Sequence, residues 1–358
     1  MATAERVQRL GTGAAEGAAF GGPLRVAVVG AGRIGRIHAA LLAGPVAGAR
    51  PAAVYDTRPD AAAALAEELG VPEARHVDAL LDDPVVDAVA ICSSTDTHAN
   101  IVVAAARAGK AIFCEKPVSL DLGELDRALA AVAEAGVPFQ IGFNRRFDPA
   151  HSSVREAVAR GAVGDLHLVR ISSRDPTPPG VDYVRGSGGI FLDMTIHDFD
   201  MARYLTGSEV TDVYAHGAVR VDPSFEQAGD VDTAVAVLTH ENGCITAIDN
   251  SRCAVYGYDQ RVEAFGSGGM AASGNPLRHT GVVHSADGTY MPTLPDFFHD
   301  RYVRSYLREW EAFVAAVRGG EAPPVGPADA RPPLVIGLAA VRSLGERRPV
   351  RVAELEAA

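Results

Sequence analysis

From Leu24 onward the chain alternates short apolar runs with longer stretches whose apolar residues recur every three or four positions. LRVAVVG, closed by Gly30, reads as a strand buried on both faces. AGRIGRIHAALLAG follows with a helical period, then AAVYD (Ala52–Asp56) as a second strand. RPDAAAALAEELG is a second helix stopped by Gly70. VDAVAICS (Val86–Ser93), THANIVVAAARAG, KAIFCEKP, LGELDRALAAVAEAG and VPFQIGF continue the alternation to residue 143. Strand following helix in this way predicts an α/β domain over 24–143, a doubly wound parallel sheet of Rossmann type. Ligands of such sheets bind beyond the carboxyl ends of the strands.

After Asp148 the pattern changes. PAHSSVREAVARG reads as one helix, and GDLHLVRISSRD as a strand with apolar and polar positions alternating. VTDVYAHGAVRV, DTAVAVLTH, CITAIDNSRCAV, DQRVEAFGS and GMAASG are further strands. Glu241-Asn242-Gly243 and Gly266-Ser267-Gly268-Gly269 are hairpin signals. These runs predict a second α/β domain over 144–358 with a large, open, mainly antiparallel sheet, suited to pairing with its own copy. RYVRSYLREWEAFVAAVRGG is an amphipathic helix, placed to pack back on the first domain. In ADARPPLVIGLAAVRSLGER, Pro332 and Pro333 are expected to delay the helix start to Leu334. PTPPGVDYVRGSGG reads as a loop covering a site.

Composition changes this picture little. The 358 residues suffice for two domains, with 47% hydrophobic and 22% charged residues. A net charge of -12 argues against a nucleic-acid partner. Cys92, Cys114, Cys244 and Cys253 show no zinc spacing and read as reduced, buried thiols of a cytoplasmic protein. No metal site and no membrane span are expected. Residues 1–23 read as a flexible tail rather than a secretory signal.

Three places carry chemistry. Gly30-Ala31-Gly32-Arg33-Ile34-Gly35 ends a strand and opens a helix, as a dinucleotide fingerprint requires. Gly30 allows the tight turn, Gly32 the approach of a pyrophosphate, Gly35 close helix packing, and the N–H groups at the helix start face the phosphates. Asp56 ends the second strand, where a carboxylate accepts the ribose hydroxyls of NAD. Arg58 leaves NADP as a secondary cofactor. Ser93, Ser94, Thr95 and His98, with Glu115 and Lys116, lie at later strand ends where the cofactor is expected. Third, GGIFLDMTIHDFDMARYL (Gly188–Leu205) is apolar yet carries Asp193 and His197 four residues apart. One helix would place them on one face, with Asp200 and Tyr204 continuing the stripe. A histidine beside a carboxylate is expected to have a raised pKa and to act as a general base. Asp198 falls off the stripe and reads as structural.

GAGRIGRIHA, ICSSTDTHAN, CEKPVS and GGIFLDMTIHDFDMARYL together resemble the Gfo/Idh/MocA oxidoreductases over residues 24 to 352, with the last motif and RSYLREWEAFVAAV most like inositol 2-dehydrogenases. The resemblance implies an NAD-dependent enzyme oxidising a secondary alcohol of a polyol or cyclitol, assembled as a homodimer or homotetramer through the C-terminal sheet. It places the catalytic lysine at Lys116, and the aspartate and histidine of its DxxxH motif at Asp193 and His197. His197 would take the hydroxyl proton, Lys116 would bind the reacting oxygen, and Asp193 would hold the substrate or orient His197. Asn144, Arg145, Arg174, Asp175, Tyr256 and Tyr258 are the candidates for the remaining polyol contacts. Another cyclitol, an aminocyclitol or a sugar derivative is the alternative substrate. An enzyme without net redox change, or an NAD-binding sensor, is a further alternative.

Overall fold

The computed structural model describes residues 22–356, so the tail expected over 1–23 lies almost wholly outside the described residues. The first sheet is built from β1 (Leu24–Val29), β2 (Ala49–Tyr55), β3 (Ala88–Ile91), β4 (Ala111–Cys114) and β5 (Phe139–Ile141). Its helices are α1 (Arg33–Ala43), α2 (Pro59–Leu69), a short α3 (Val77–Leu81), α4 (Thr95–Arg107) and α5 (Leu122–Ala135). The strands are all parallel, in the order β2-β1-β3-β4-β5. Their valines, isoleucines and alanines are buried on both faces because helices cover both. The order reverses at β1 and β3, so the strand ends at Gly30 and Cys92 flank the crevice where such sheets bind ligands.

Two glycines make the turn after β1. Gly30 has φ +104° and sits so close to Cys92 that a Cβ would meet its carbonyl oxygen at 2.5 Å. At Gly35 a Cβ would fall 1.9 Å from the Gly30 oxygen. Any side chain at either position would force α1 away from the sheet.

The second half begins with a 3₁₀ turn at Asn144–Phe147 and α6 (Pro149–Ala159), then β6 (Leu166–Arg174). Next come α7 (Val181–Ser187), α8 (Gly189–Asp193), α9 (Ile196–Thr206), β7 (Val210–Ala218), α10 (Ser224–Gln227), β8 (Thr233–His240), β9 (Ile245–Ser251), β10 (Asp259–Gly266) and β11 (Gly269–Ser273). An exposed hairpin, β12 (Val283–Ser285) with β13 (Gly288–Tyr290), leads to α11 (Phe298–Arg301), α12 (Val303–Gly319), α13 (Pro327–Glu346), β14 (Val350–Arg351) and α14 (Ala353–Glu356). The seven-stranded sheet runs β11-β10-β6-β9-β8-β7-β14, antiparallel except between β6 and β9. Both hairpin signals hold: the chain turns between β8 and β9 and between β10 and β11. Residues of α6, α9 and α13 cover one face with Val154, Phe199, Leu205, Ile336 and Ala339. The other face is open, with Tyr214, Val235, Val237, Ile245, Phe265 and Met270 all more than 40% exposed. α12 belongs to the first core: Trp310 stacks on Phe113 of β4 with ring centroids 4.4 Å apart.

Three expectations need correction. The Gly188–Leu205 stretch is two helices rather than one. The Thr195 hydroxyl and N–H both bond to the Ile190 carbonyl, and the hydroxyl also to Asn250 Oδ1. A side chain competing for main-chain partners ends α8 at Asp193, and the chain restarts at Ile196. The loop before it is partly helical, as α7, between Gly180 and Gly188. Pro332 and Pro333 lie inside α13 rather than before it. The helix starts at Pro327, where Asp329 caps the Gly326 N–H and pairs with Arg146, and its apolar side is buried. Packing and capping outweigh the two missing N–H groups. No helix among the described residues is long and apolar enough to cross a membrane.

Candidate active site

The nucleotide end of the crevice is assembled from strand ends. The Asp56 carboxylate, just past β2, accepts the Ala31 N–H at 2.7 Å and the Arg58 N–H at 2.8 Å. Burial alone would raise its pKa, but these N–H groups and the Arg58 charge outweigh it and hold Asp56 below the usual range. A fixed carboxylate there suits ribose hydroxyls. Nothing lies within 4 Å of a Cβ built on Gly32, so the backbone at the α1 N-terminus is open to a phosphate. Arg33 is exposed, with its guanidinium over the Phe297 ring, and Ile34 packs against the core. Ser94 and Thr95 begin α4, and Ser93 Oγ bonds to Thr97 Oγ1 at 2.6 Å. These residues fit a dinucleotide cofactor.

Two residues expected at the cofactor are engaged elsewhere. His98 has Nδ1 on the Pro117 carbonyl and Nε2 on the Ser93 carbonyl, at 2.9 and 3.0 Å. Its ring ties two strand-end loops together, and burial lowers its pKa. The Glu115 carboxylate is buried against His38 and the Lys116 N–H rather than turned to the crevice.

Lys116 follows β4 and extends to the end of α8. Its Nζ donates to the main-chain oxygen of Asp193 at 2.9 Å and stands 3.7 Å from Asp193 Oδ1. The Asp193 carboxylate is held on two more sides, by the Tyr183 hydroxyl at 2.8 Å and by Arg252 Nη2 at 3.0 Å. Arg252 is buried and places Nη1 3.4 Å from Asp175 Oδ2. Burial pushes the Asp175 pKa up to about 6; Arg252 opposes this and Asp193 adds to it. Tyr183 and Arg252 are invisible to pattern reading, since one sits in a Pro- and Gly-rich segment and the other is an arginine in a strand-like run. A buried arginine between two aspartates is recognisable only once the fold brings Asp175, Asp193 and Arg252 together.

His197 stands at the start of α9, its ring edge-on to Phe143 at 6.0 Å. Its pKa is well below the ordinary value, through burial first and then the charges of Lys116 and Arg145. The expected raised pKa is therefore corrected: the imidazole is buried, and the helix break and the engagement of Asp193 with Tyr183, Arg252 and Lys116 leave cations, not a carboxylate, as the charges it feels. A neutral imidazole at neutral pH is what a general base needs. Its Nδ1 is buried without a hydrogen-bond partner among the described residues, as is Asn144 Nδ2.

Asp200 and Tyr204 do not line this pocket. Asp200 is buried against Arg146 at 2.6 Å, and Tyr204 lies under the Arg146 and Arg155 guanidinium groups. Asp198 is structural, as expected: it is fully buried and accepts from Arg145, Ser173 and Asn250. That network also holds Arg145, whose Nη1 donates to Asp198 and Ser173. Tyr256 bonds to Arg174 and Asp259, and Arg174 to Asp249, beside the end of the second sheet. Tyr258 is buried edge-on to Phe297 and Tyr302. The thiols are all free, three buried and Cys253 half-buried.

Residues 24–143 match a family model described as an oxidoreductase family with an NAD-binding Rossmann fold, and residues 151–272 match the GFO/IDH/MocA C-terminal domain. The chain belongs to the Gfo/Idh/MocA oxidoreductases. It is 48% identical over 333 residues to a myo-inositol 2-dehydrogenase of Thermotoga maritima, covering 93% of this chain and 99% of that one. It is 46% identical to an inositol 2-dehydrogenase of Rhizobium meliloti, covering 92% and 99%. Among solved structures it resembles the scyllo-inositol dehydrogenase of Lactobacillus casei with bound NAD(H) and scyllo-inositol, with TM-score 0.87, 30% identity, and 92% and 99% coverage. Like its family, this Gfo/Idh/MocA chain is an NAD-dependent oxidoreductase acting on CH–OH groups.

Proposed function

We propose that the protein oxidises a ring CH–OH of a cyclitol, myo-inositol to 2-keto-myo-inositol, with NAD. The observation that carries this reading is the convergence of Lys116, Asp193 and a neutral His197 at the mouth of the nucleotide crevice. The high identity to inositol 2-dehydrogenases over nearly the whole chain supports the substrate class. Bound NAD supplies the hydride acceptor. His197 takes the hydroxyl proton while the C–H bond breaks and its electron pair leaves with the hydrogen. The Lys116 ammonium hydrogen-bonds the reacting oxygen and stabilises the charge that develops there. Asp193, held by Tyr183 and Arg252, accepts a neighbouring ring hydroxyl. Asp175 and Asn144 are the further polyol contacts in this reading. Tyr256, Tyr258 and Arg145 act behind them as supports.

In this proposal residues 24–143 hold the cofactor and 144–358 the substrate, while α12 returns to the first core. The fixed Asp56 carboxylate favours NAD over NADP, because it would repel a 2′-phosphate. The open apolar face of the second sheet supports a homodimer or homotetramer, and four free thiols support a cytoplasmic setting. Absorbance of NADH, followed with NAD and myo-inositol, scyllo-inositol, glucose or an aminocyclitol, tests the substrate. Turnover of myo-inositol well above the others is the expected result. NADH from another polyol alone would move the substrate, and none from any would overturn the reading.

A further inference from the structure

One cluster of polar groups that the proposed mechanism leaves unused lies beneath the Glu115-Lys116-Pro117 turn. His38, on α1, is fully buried. Its Nδ1 accepts the indole Nε1–H of Trp310 at 2.9 Å, so that nitrogen carries no proton. Nε2 therefore carries it, and donates to Glu115 Oε1 at 2.8 Å. The second carboxylate oxygen of Glu115 accepts the main-chain N–H of Lys116 at 3.3 Å. Glu115 is wedged in place, since a Cβ on Gly142 would meet its Oε2 at 3.1 Å. Trp310 is itself fixed by stacking on Phe113, two residues before Glu115. Glu309, next to Trp310, is fully buried, and neither carboxyl oxygen has a hydrogen-bond partner among the described residues. Burial, and then the neighbouring Glu115, push its pKa well up.

We propose that His38 is a positioning residue for Lys116: its bond to Glu115 fixes the turn that sets the Lys116 amine against Asp193, and Trp310 selects the tautomer able to donate. The inference rests on the catalytic reading of Lys116 given above. The relay has a direction that simple packing lacks. Only the bond from Nε2 leads to Lys116, whereas the bond to Nδ1 leads back to α12.

Two substitutions separate the two bonds. In His38→Asn the amide oxygen can still accept from Trp310, but the side chain is too short to reach Glu115. In His38→Gln the amide nitrogen can reach Glu115, while the acceptor for Trp310 is lost. Trp310 is the only tryptophan of the chain, so its single indole N–H resonance reports directly on the second bond. The expected result for H38N is an unshifted indole resonance with kcat reduced about ten- to hundredfold, the polyol KM and NAD affinity holding within about threefold. H38Q is expected to shift the indole resonance and keep kcat within about threefold of wild type. Unchanged kcat in H38N, or a loss confined to H38Q, overturns the relay. Should H38N fail to fold by its melting curve, Glu115→Gln decides instead. Its amide must turn an N–H towards either the Lys116 N–H or the His38 Nε2–H, so it must lower kcat with the indole resonance in place, or the proposal falls. Wild type that forms no NADH with any polyol overturns the catalytic reading itself, which the wild-type control shows separately.

Discussion

Lys116 Nζ lies 2.9 Å from the main-chain oxygen of Asp193 and 3.7 Å from its carboxylate, joining the end of β4 to the end of α8. The contact unites the cofactor sheet with the helices of the second half. In the proposed reaction it also sets the ammonium where negative charge develops on the substrate oxygen. Replacing it with an uncharged chain of similar length, Lys116→Met, is expected to lower kcat about 10²- to 10³-fold. NAD affinity, measured by calorimetry, should change little. A comparable loss in NAD affinity would place Lys116 on the cofactor instead.

Asp175 gives the site a measurable pH signature. Its pKa is pushed up to about 6, chiefly by burial. A carboxyl whose pKa rises on folding contributes stability below its unfolded value, and that stability is lost as pH rises through the folded value. The gap between about 6 and the ordinary 3.8 corresponds to about 3 kcal/mol, lost between about pH 4 and pH 6. Melting temperatures of wild type and Asp175→Asn, compared across that window, should show the wild type losing ground to the variant as pH rises. Parallel curves would mean that Asp175 titrates as an ordinary surface acid.

The open face of the seven-stranded sheet makes a separate prediction. Val235 and Val237 of β8 stand beside Tyr214 and His216 of β7 in the strand register, and both valines are over 40% exposed. If copies of the chain pair through this face, the double change Val235→Glu and Val237→Glu buries two charges in the interface. Light scattering should then report a smaller assembly than wild type, with the fold retained by circular dichroism. An unchanged mass would remove this face from the interface.

How far the sequence could be read depended on how local each feature is. The strand–helix alternation from Leu24 and the Gly30–Gly35 turn are set by neighbouring residues, and both are found as expected. So are the two hairpins, which need only a turn sequence between alternating strands. The helix break at Met194 and Thr195 was not legible, because its cause includes Asn250, a residue of β9 distant in sequence. Pro332 and Pro333 misled for a similar reason: packing and Asp329 capping hold a helix that local propensity would stop. The catalytic candidates could be named from the Lys116 and Asp193/His197 motifs. Their electrostatics could not. The low pKa of His197 follows first from burial and then from Lys116 and Arg145, all of which only the folded chain supplies. Asp200 shows the converse, a carboxylate on the right helical spacing that the fold pairs with Arg146 away from the pocket.

In the proposed reaction His197 and Lys116 together drive removal of a hydride from a ring CH–OH carbon. The most direct test uses myo-inositol carrying deuterium at C2, incubated with the protein and NAD, with the cofactor product read by mass spectrometry. The expected product is NADH that carries the deuterium, formed by wild type and lost in step with kcat in Lys116→Met. NADH formed without deuterium would place the oxidised carbon elsewhere on the ring. Deuterium retained in the polyol with no NADH formed would rule out hydride removal from the ring by His197 and Lys116.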